Sequence, residues 1–253
     1  MEIRELQSFL KLLADESSAI IRQYYRTDLK IENKQDESPV TIADRMAEEK
    51  MRLLIQKEFP NHGIIGEEFG SENTDAEFVW VLDPIDGTKS FISGALSFGT
   101  LIALLKNGEP FIGVINHPIL KEFLVGDNNS AWLNNNLIRM RVCNSISEAT
   151  LLTTDHFNIG KYHNQIKFDN LAKRVKLYRN WGDCYGYYLL ATGYADIMID
   201  PIMSVWDSMA VIPIIKGAGG EVTDYNGNNP VTGNSIVACN KKIHSEVIKL
   251  LNN

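Results

Sequence analysis

The sequence predicts a mixed α/β protein of two lobes. An α+β lobe over residues 1–145 carries most of the candidate ligands, and an α/β lobe follows over residues 146–253. Three observations predict this. The chain opens with two helical patterns. From Phe98 it changes to strand and turn. From Ala149 strands and helices alternate, the pattern of an α/β unit. The polar stretch from Asn144 to Thr150 marks the boundary.

Ile3, Leu6, Phe9, Leu10, Leu13 and Ile20 recur at helical spacing, so the chain opens with an amphipathic helix. Thr41-Ile42-Ala43-Asp44 leads into a second helix, MAEEKMRLLIQKEF, which ends before Pro60. FVWVLD is a short apolar strand. TLIALL and FIGVINHP flank Lys106-Asn107-Gly108-Glu109 and read as a hairpin with Asn-Gly at its tip. EFLVGD and SAWL extend the meander to a turn at Asn134–Asn136. ATLLTT, ADIMID and SIVACN are strands of the second half. YGYYLLATG is a helix closed by Gly193, VWDSMAVIPIIKGAGG a helix that Pro213 should kink or delay, and IHSEVIKLL the last helix.

The chain has 253 residues, 44% hydrophobic and 23% charged, with net charge -7. That length buries a substantial core. An acidic balance argues against a nucleic-acid binder, which needs a basic footprint. The three cysteines, Cys143, Cys184 and Cys239, are far apart and form no C-x-x-C pair, so neither a disulfide framework nor a zinc site is expected. No signal peptide or membrane span is visible, and a cytoplasmic location is expected. The five histidines show no ligand spacing.

Acids cluster at element ends: Asp44, Glu67 and Glu68, Asp83 and Asp86, Asp200, and Asp207. Each alone has an ordinary account as a cap, a turn residue or a first-turn acid. Asp83 with Asp86 is harder to explain that way. Two carboxylates closing a buried strand repel and raise each other's pKa. A divalent cation removes that cost, and Mg²⁺ prefers oxygen ligands. An Asp-Pro-Ile-Asp turn offers two carboxylates and the Ile85 carbonyl. Gly87 allows close backbone approach, and a helix opened by Thr88 would present free N–H groups to an anion. Metal ligands running into such amides suggest phosphoryl chemistry.

These residues resemble the inositol monophosphatase family. WVLDPIDGTKSF is similar to its metal-binding signature, and VWDSMAVIPIIKGAGGEV to its second signature; IGEE and KQDESPVTIAD also match, in the family's order. The resemblance implies an alternating αβαβα sandwich and a homodimer. It implies two to three Mg²⁺ per site: one on Glu67, Asp83 and the Ile85 carbonyl, a second on Asp83, Asp86 and Asp207, and a weaker third involving Glu67. Gly87 and Thr88 would bind phosphate beside Ile85, Asp86 and Asp207. Thr88 and Asp44 would orient a metal-activated water for attack on phosphorus, with Lys34 in the matching upstream loop.

The substrate would be a small phosphate ester. RNWGDCYGYYLLATG is similar to a block of the family's histidinol-phosphate phosphatases. Asp86-Gly87-Thr88-Lys89-Ser90-Phe91 departs from the Asp-Gly-Thr-Thr-Asn-Phe common in inositol-type members. Asp183 and Asp200 would face the cationic end of histidinol phosphate, and Arg179 the phosphate end. Tyr194 departs from the arginine more frequent in that branch. Inositol phosphate, or a broad set of small esters, is the alternative within the enzyme class. A nucleic-acid-associated role lacks any basic stripe to support it.

Overall fold

The computed structural model describes residues 3–28, 32–33 and 39–253. Lys34 lies outside the described residues, as does the whole KQDES stretch that it opens. The chain opens with α1 (Ile3–Tyr24), the two-stranded ribbon β1 (Glu32–Asn33) and β2 (Pro39–Val40), and α2 (Ile42–Glu58). A run of strands follows: β3 (Gly63–Gly66), β4 (Gly70–Glu72), β5 (Phe78–Asp86), the short α3 (Thr88–Ile92), β6 (Gly99–Lys106), β7 (Glu109–His117), β8 (Glu122–Gly126), β9 (Ala131–Leu133) and β10 (Asn136–Ile138). The rest alternates: β11 (Thr150–Leu152), α4 (His156–Tyr162), α5 (Gln165–Arg174), β12 (Leu177–Arg179), α6 (Asp183–Ala191), β13 (Ile197–Asp200), α7 (Val205–Gly217), β14 (Gly220–Thr223), β15 (Ile236–Asn240) and α8 (Lys241–Asn252).

Two sheets form. The first has eight strands in the order β10-β9-β8-β7-β6-β5-β3-β4, and the second five in the order β12-β11-β13-β15-β14. The hairpin between β6 and β7 turns through Asn107 and Gly108, both at positive φ (51° and 81°), as the Asn-Gly tip requires. The second sheet is mixed: β11 runs parallel to β12 and β13, while β15 is antiparallel to β13 and β14.

Side-chain alternation sets the layers. Trp80 and Leu82 of β5, with Ile102 and Leu104 of β6, pack against Leu6, Leu10 and Leu13 of α1 and Met51 and Ile55 of α2. Their neighbours Val79, Val81, Leu101 and Ala103 face the other way, onto α6 and α7. The second sheet repeats this. Met198, Ile236 and Ala238 join α6 and α7, whereas Ile197, Ile199, Val237 and Cys239 meet Phe168 and Leu171 of α5 and Val247 of α8. The order is therefore helices, sheet, helices, sheet, helices: the αβαβα sandwich.

Strands covered on both faces read as unbroken apolar runs, and a helix between two sheets is apolar all round. In α7 every residue from Ser208 to Ile215 is buried. It lies close on β7: a Cβ on Gly113 would sit 2.0 Å from the Ala210 carbonyl oxygen. Pro213 neither delays nor ends α7, which runs continuously across it. Two flanking sheets hold the helix there without the missing N–H.

Candidate active site

β5 does not stop at its first aspartate. It continues through Asp86, with Asp83 opposite Leu101 and Asp86 opposite Gly99 on β6, so three steps on one strand meet two on the other. The extra residue is a β-bulge. In a regular strand, residues three apart face opposite sides; the bulge at Pro84–Ile85 turns both carboxylates to one side. Pro84 suits this place because it has no N–H for the ladder. Its carbonyl accepts from Thr100 Oγ1 at 2.9 Å. The acids thus sit in a bulged strand end, not the open turn expected from the sequence.

Asp207 joins them from the first turn of α7. Carboxylate oxygens of Asp83, Asp86 and Asp207 lie within 4.8 Å of one another. Asp207 Oδ2 accepts from the Ser204 N–H at 2.7 Å, which closes a capping box and fixes the side chain. Burial pushes Asp83 well above the usual carboxylate range, and the charges of Glu67, Asp86 and Asp207 push it further. Burial, then Asp183 and Asp207, raise Asp86. Asp207 is pushed up to about 7, by burial first and then by Glu67, Asp200 and Asp183. Oδ1 of Asp83 is buried and has no hydrogen-bond partner. Three converging carboxylates, one with an orphaned buried oxygen, fit a hard divalent cation.

Glu67 follows β3, and its N–H donates to the Leu82 carbonyl of β5 at 3.2 Å. Its side chain acts on Asp83, Asp207 and Asp44. Asp44 lies inside the first turn of α2 rather than before it. Thr41 is the N-cap, and Asp44 Oδ2 accepts from the Thr41 N–H at 2.8 Å and from Thr41 Oγ1 at 2.7 Å. Burial raises Asp44 to about 6. Gly87 (φ 81°) caps α3, and Thr88 opens that helix as the sequence suggests. Thr88 Oγ1 donates to the Ile85 carbonyl at 3.0 Å, so in this structure the hydroxyl and the expected carbonyl ligand face each other.

A cavity of about 110 Å³ adjoins the cluster, lined by Asp86, Asp207, Asp183, Asp200, Thr154, Asn158, Tyr187 and Met203 among others. Asp183 opens α6 at a positive φ of 50°, a left-handed conformation unusual for a side-chain-bearing residue. Its N–H donates to Thr154 Oγ1 at 2.8 Å, and Ser90 Oγ lies 3.4 Å from its Oδ2. It presses on the turn after β5: a Cβ on Gly87 would meet Asp183 Oδ2 at 2.9 Å. Burial and then the Asp200 charge raise Asp183 to about 6.

Asp200 also lines the cavity, but both its oxygens have partners. Oδ1 accepts from the Thr154 N–H at 3.0 Å and Oδ2 from the Tyr187 hydroxyl at 2.9 Å. Arg179 is exposed, not part of the cavity lining; its guanidinium donates to the Tyr178 carbonyl at 2.7 Å and lies over the Trp181 ring. Thr154, Asn158 and Met203 were not singled out in the sequence. They come from loops and a short helix with no periodic signal, although Thr154 closes the expected strand ATLLTT.

The model of the inositol monophosphatase family matches residues 2–253. The chain belongs to that family. It is therefore a member of a phosphatase family that acts on small phosphorylated substrates. It is 41% identical over 252 residues to an Arabidopsis thaliana protein named bifunctional phosphatase IMPL2, chloroplastic, covering 94% of this chain and 72% of that one. It is 36% identical to a histidinol-phosphatase of Chlorobaculum parvum, covering 98% of this chain and 97% of that one. Among solved structures, an inositol monophosphatase from Zymomonas mobilis superposes with a TM-score of 0.89 at 36% identity over 100% of both chains. Among the described residues, no helix of this family member is long and apolar enough to cross a membrane.

Proposed function

We propose that this phosphatase is a Mg²⁺-dependent histidinol-phosphate phosphatase working as a homodimer. The observation that carries the substrate is Asp183, a carboxylate held against Gly87 in the wall of the cavity that adjoins the metal cluster. A substrate with an anionic phosphate and a cationic ammonium and imidazole suits a site that is acidic at the far end and cation-loaded at the near end. The histidinol-phosphatase relatives support the same reading.

Asp83, Asp86, Asp207 and Glu67 would hold the cations, with the Ile85 carbonyl beside them. Bound Mg²⁺ supplies Lewis-acid polarisation of the phosphoryl group and makes water acidic enough to serve as nucleophile near neutral pH. Gly87 and Thr88 seat the phosphate on the first amides of α3. Asp44 keeps one oxygen outside its capping box, and a pKa raised to about 6 leaves the group mostly ionised at neutral pH and available as a base. Thr154 and Tyr187 fix Asp200, and Thr154 fixes the α6 start, so that Asp183 meets the substrate in a set orientation.

Inositol phosphate is the second reading, favoured by the likeness to the Zymomonas mobilis inositol monophosphatase. The test is kcat/KM for the two esters at saturating Mg²⁺. A clear preference for histidinol phosphate is expected; equal values would overturn the substrate assignment and leave the phosphatase chemistry standing.

A further inference from the structure

One buried carboxylate near the site belongs to none of the family's signature blocks quoted above. Glu48 sits on α2, one helical turn after Asp44, with its side chain wholly enclosed. A buried carboxylate needs hydrogen-bond donors, and Glu48 finds three. Oε2 accepts from the Glu68 N–H at 2.8 Å. Oε1 accepts from the Phe69 N–H at 3.2 Å and from Arg52 Nε at 2.8 Å. Arg52, a further turn along α2, donates through Nη2 to the Gly70 carbonyl. Two side chains of one helix therefore grip three consecutive residues, Glu68, Phe69 and Gly70.

The segment they grip follows directly on Glu67. That residue is fixed from the other side, through its N–H to Leu82, the residue before Asp83. The approach is close enough to dictate the preceding residue as well: a Cβ on Gly66 would lie 2.0 Å from Glu48 Oε1 and 2.7 Å from Arg52 Nη2. Glu67 leaves this clamp near enough to Asp83 and Asp207 for its charge to raise both their pKa values.

We propose that Glu48 is a positioning residue: its carboxylate, by gripping the amides of Glu68 and Phe69, holds Glu67 in place for the divalent cation at the Asp83–Asp86–Asp207 cluster. This rests on the metal-dependent reading above. Residues that orient metal ligands from behind set affinity through the ligand's geometry, and their loss costs roughly ten- to a hundredfold. Glu48→Gln keeps the shape but replaces one acceptor oxygen with an NH₂ group. That group points at an N–H or at the Arg52 guanidinium, so at least one grip is lost.

The experiment titrates MgCl₂ into the metal-stripped full chain by calorimetry, for the unmutated protein and Glu48→Gln, and follows amide hydrogen exchange in both. Expected are a Mg²⁺ Kd weakened by roughly ten- to a hundredfold, faster exchange at Glu68 and Phe69, and an unchanged KM for histidinol phosphate at saturating Mg²⁺. A purely structural role would lower the melting temperature and leave the Mg²⁺ Kd where it was; that result overturns the proposal. Arg52→Gln, which removes the Gly70 contact and the ion pairs with Glu48 and Glu72 but leaves Glu48 its two amide contacts, should move the Kd in the same direction by less. It serves as the readout if Glu48→Gln does not fold, and an unchanged Kd there would equally overturn the proposal. Failure of the unmutated protein to bind Mg²⁺ would sink the metal-dependent reading itself, a different outcome from a variant that binds as the unmutated protein does.

Discussion

His117 closes β7 inside the protein, 1% exposed, with its Nδ1 at 2.8 Å from the Phe98 carbonyl and the rings of Tyr185 and Tyr188 packed edge-on against it. Burial lowers its pKa from 6.5 to about 4. The unfolded chain therefore takes up a proton near pH 6.5 that the folded protein refuses until about pH 4. The stability held by neutral His117 is complete above 6.5 and is lost as pH falls from there towards 4. At 1.36 kcal/mol per pKa unit, the full effect is about 3 kcal/mol, of which about 2 kcal/mol is lost between pH 7 and pH 5. Asp44, Asp183 and Asp207 are raised in the fold, so they bind protons more readily folded than unfolded and act with the opposite sign. A pH series on one protein mixes the two. The difference between the unmutated protein and His117→Gln separates them, because the carboxylate contributions cancel. Urea unfolding at both pH values should show the unmutated protein losing about 2 kcal/mol more than the variant on acidification. Parallel losses in the two proteins would refute the argument that His117 is held neutral by burial.

Three further outcomes are expected. Asp86→Asn and Asp207→Asn should each lower phosphate release by at least about a hundredfold, and chelator should abolish it in the unmutated enzyme; full activity in chelator would end the metal-dependent reading. Asp183→Asn should narrow the kcat/KM preference for histidinol phosphate over inositol phosphate by roughly ten- to a hundredfold, the equivalent of about 1.5–3 kcal/mol for a hydrogen bond to a charged group; an unchanged ratio would remove Asp183 from substrate selection. Gly113→Ala places a methyl group 2.0 Å from the Ala210 carbonyl oxygen. It should cost about 1–3 kcal/mol in denaturant unfolding, and a neutral result would mean that α7 has room to move off β7.

The sandwich was largely legible because its strands are covered on both sides and its flanking helices on one. FVWVL, TLIALL and ADIMI read as buried strands, and α1 as an amphipathic helix, from periodicity alone. Of the second sheet's outer cover, α8 was legible as IHSEVIKLL, but α5 was not. In α5 only Phe168 and Leu171 are buried, too few for a recognisable stripe, and β3 has just four residues. In the site, the acids could be named, but their geometry could not. Pro84 was the one visible hint that β5 runs on as a bulge. The N-terminal turn of α6 is set by a left-handed Asp183 and a Thr154 hydroxyl from a distant strand end, and no local pattern encodes either. Glu48 stands between Ala47 and Glu49 in a stretch that reads as a charged, solvated helix face. Only the return of residues 68–70 over α2 makes it a buried group.

The way the fold carries so many acids in one place follows from where it takes them. Asp44, Asp183 and Asp207 each lie in the first turn of a helix, α2, α6 and α7 respectively. Partial positive charge at those helix ends favours a carboxylate there. For Asp44 and Asp207 a capping box also ties one oxygen to a backbone N–H, which holds the side chain still without a cation. Asp86 gains the same kind of support from the Cys184 N–H at the start of α6. Asp83 has neither. It lies in the strand, buried, with the charges of Glu67, Asp86 and Asp207 around it and an oxygen without a partner. The helix-borne acids can persist in the folded protein whether or not a cation is bound. Asp83 is the residue whose ionised form most depends on one, so the energetic need for the metal is concentrated at the strand end that the bulge opens.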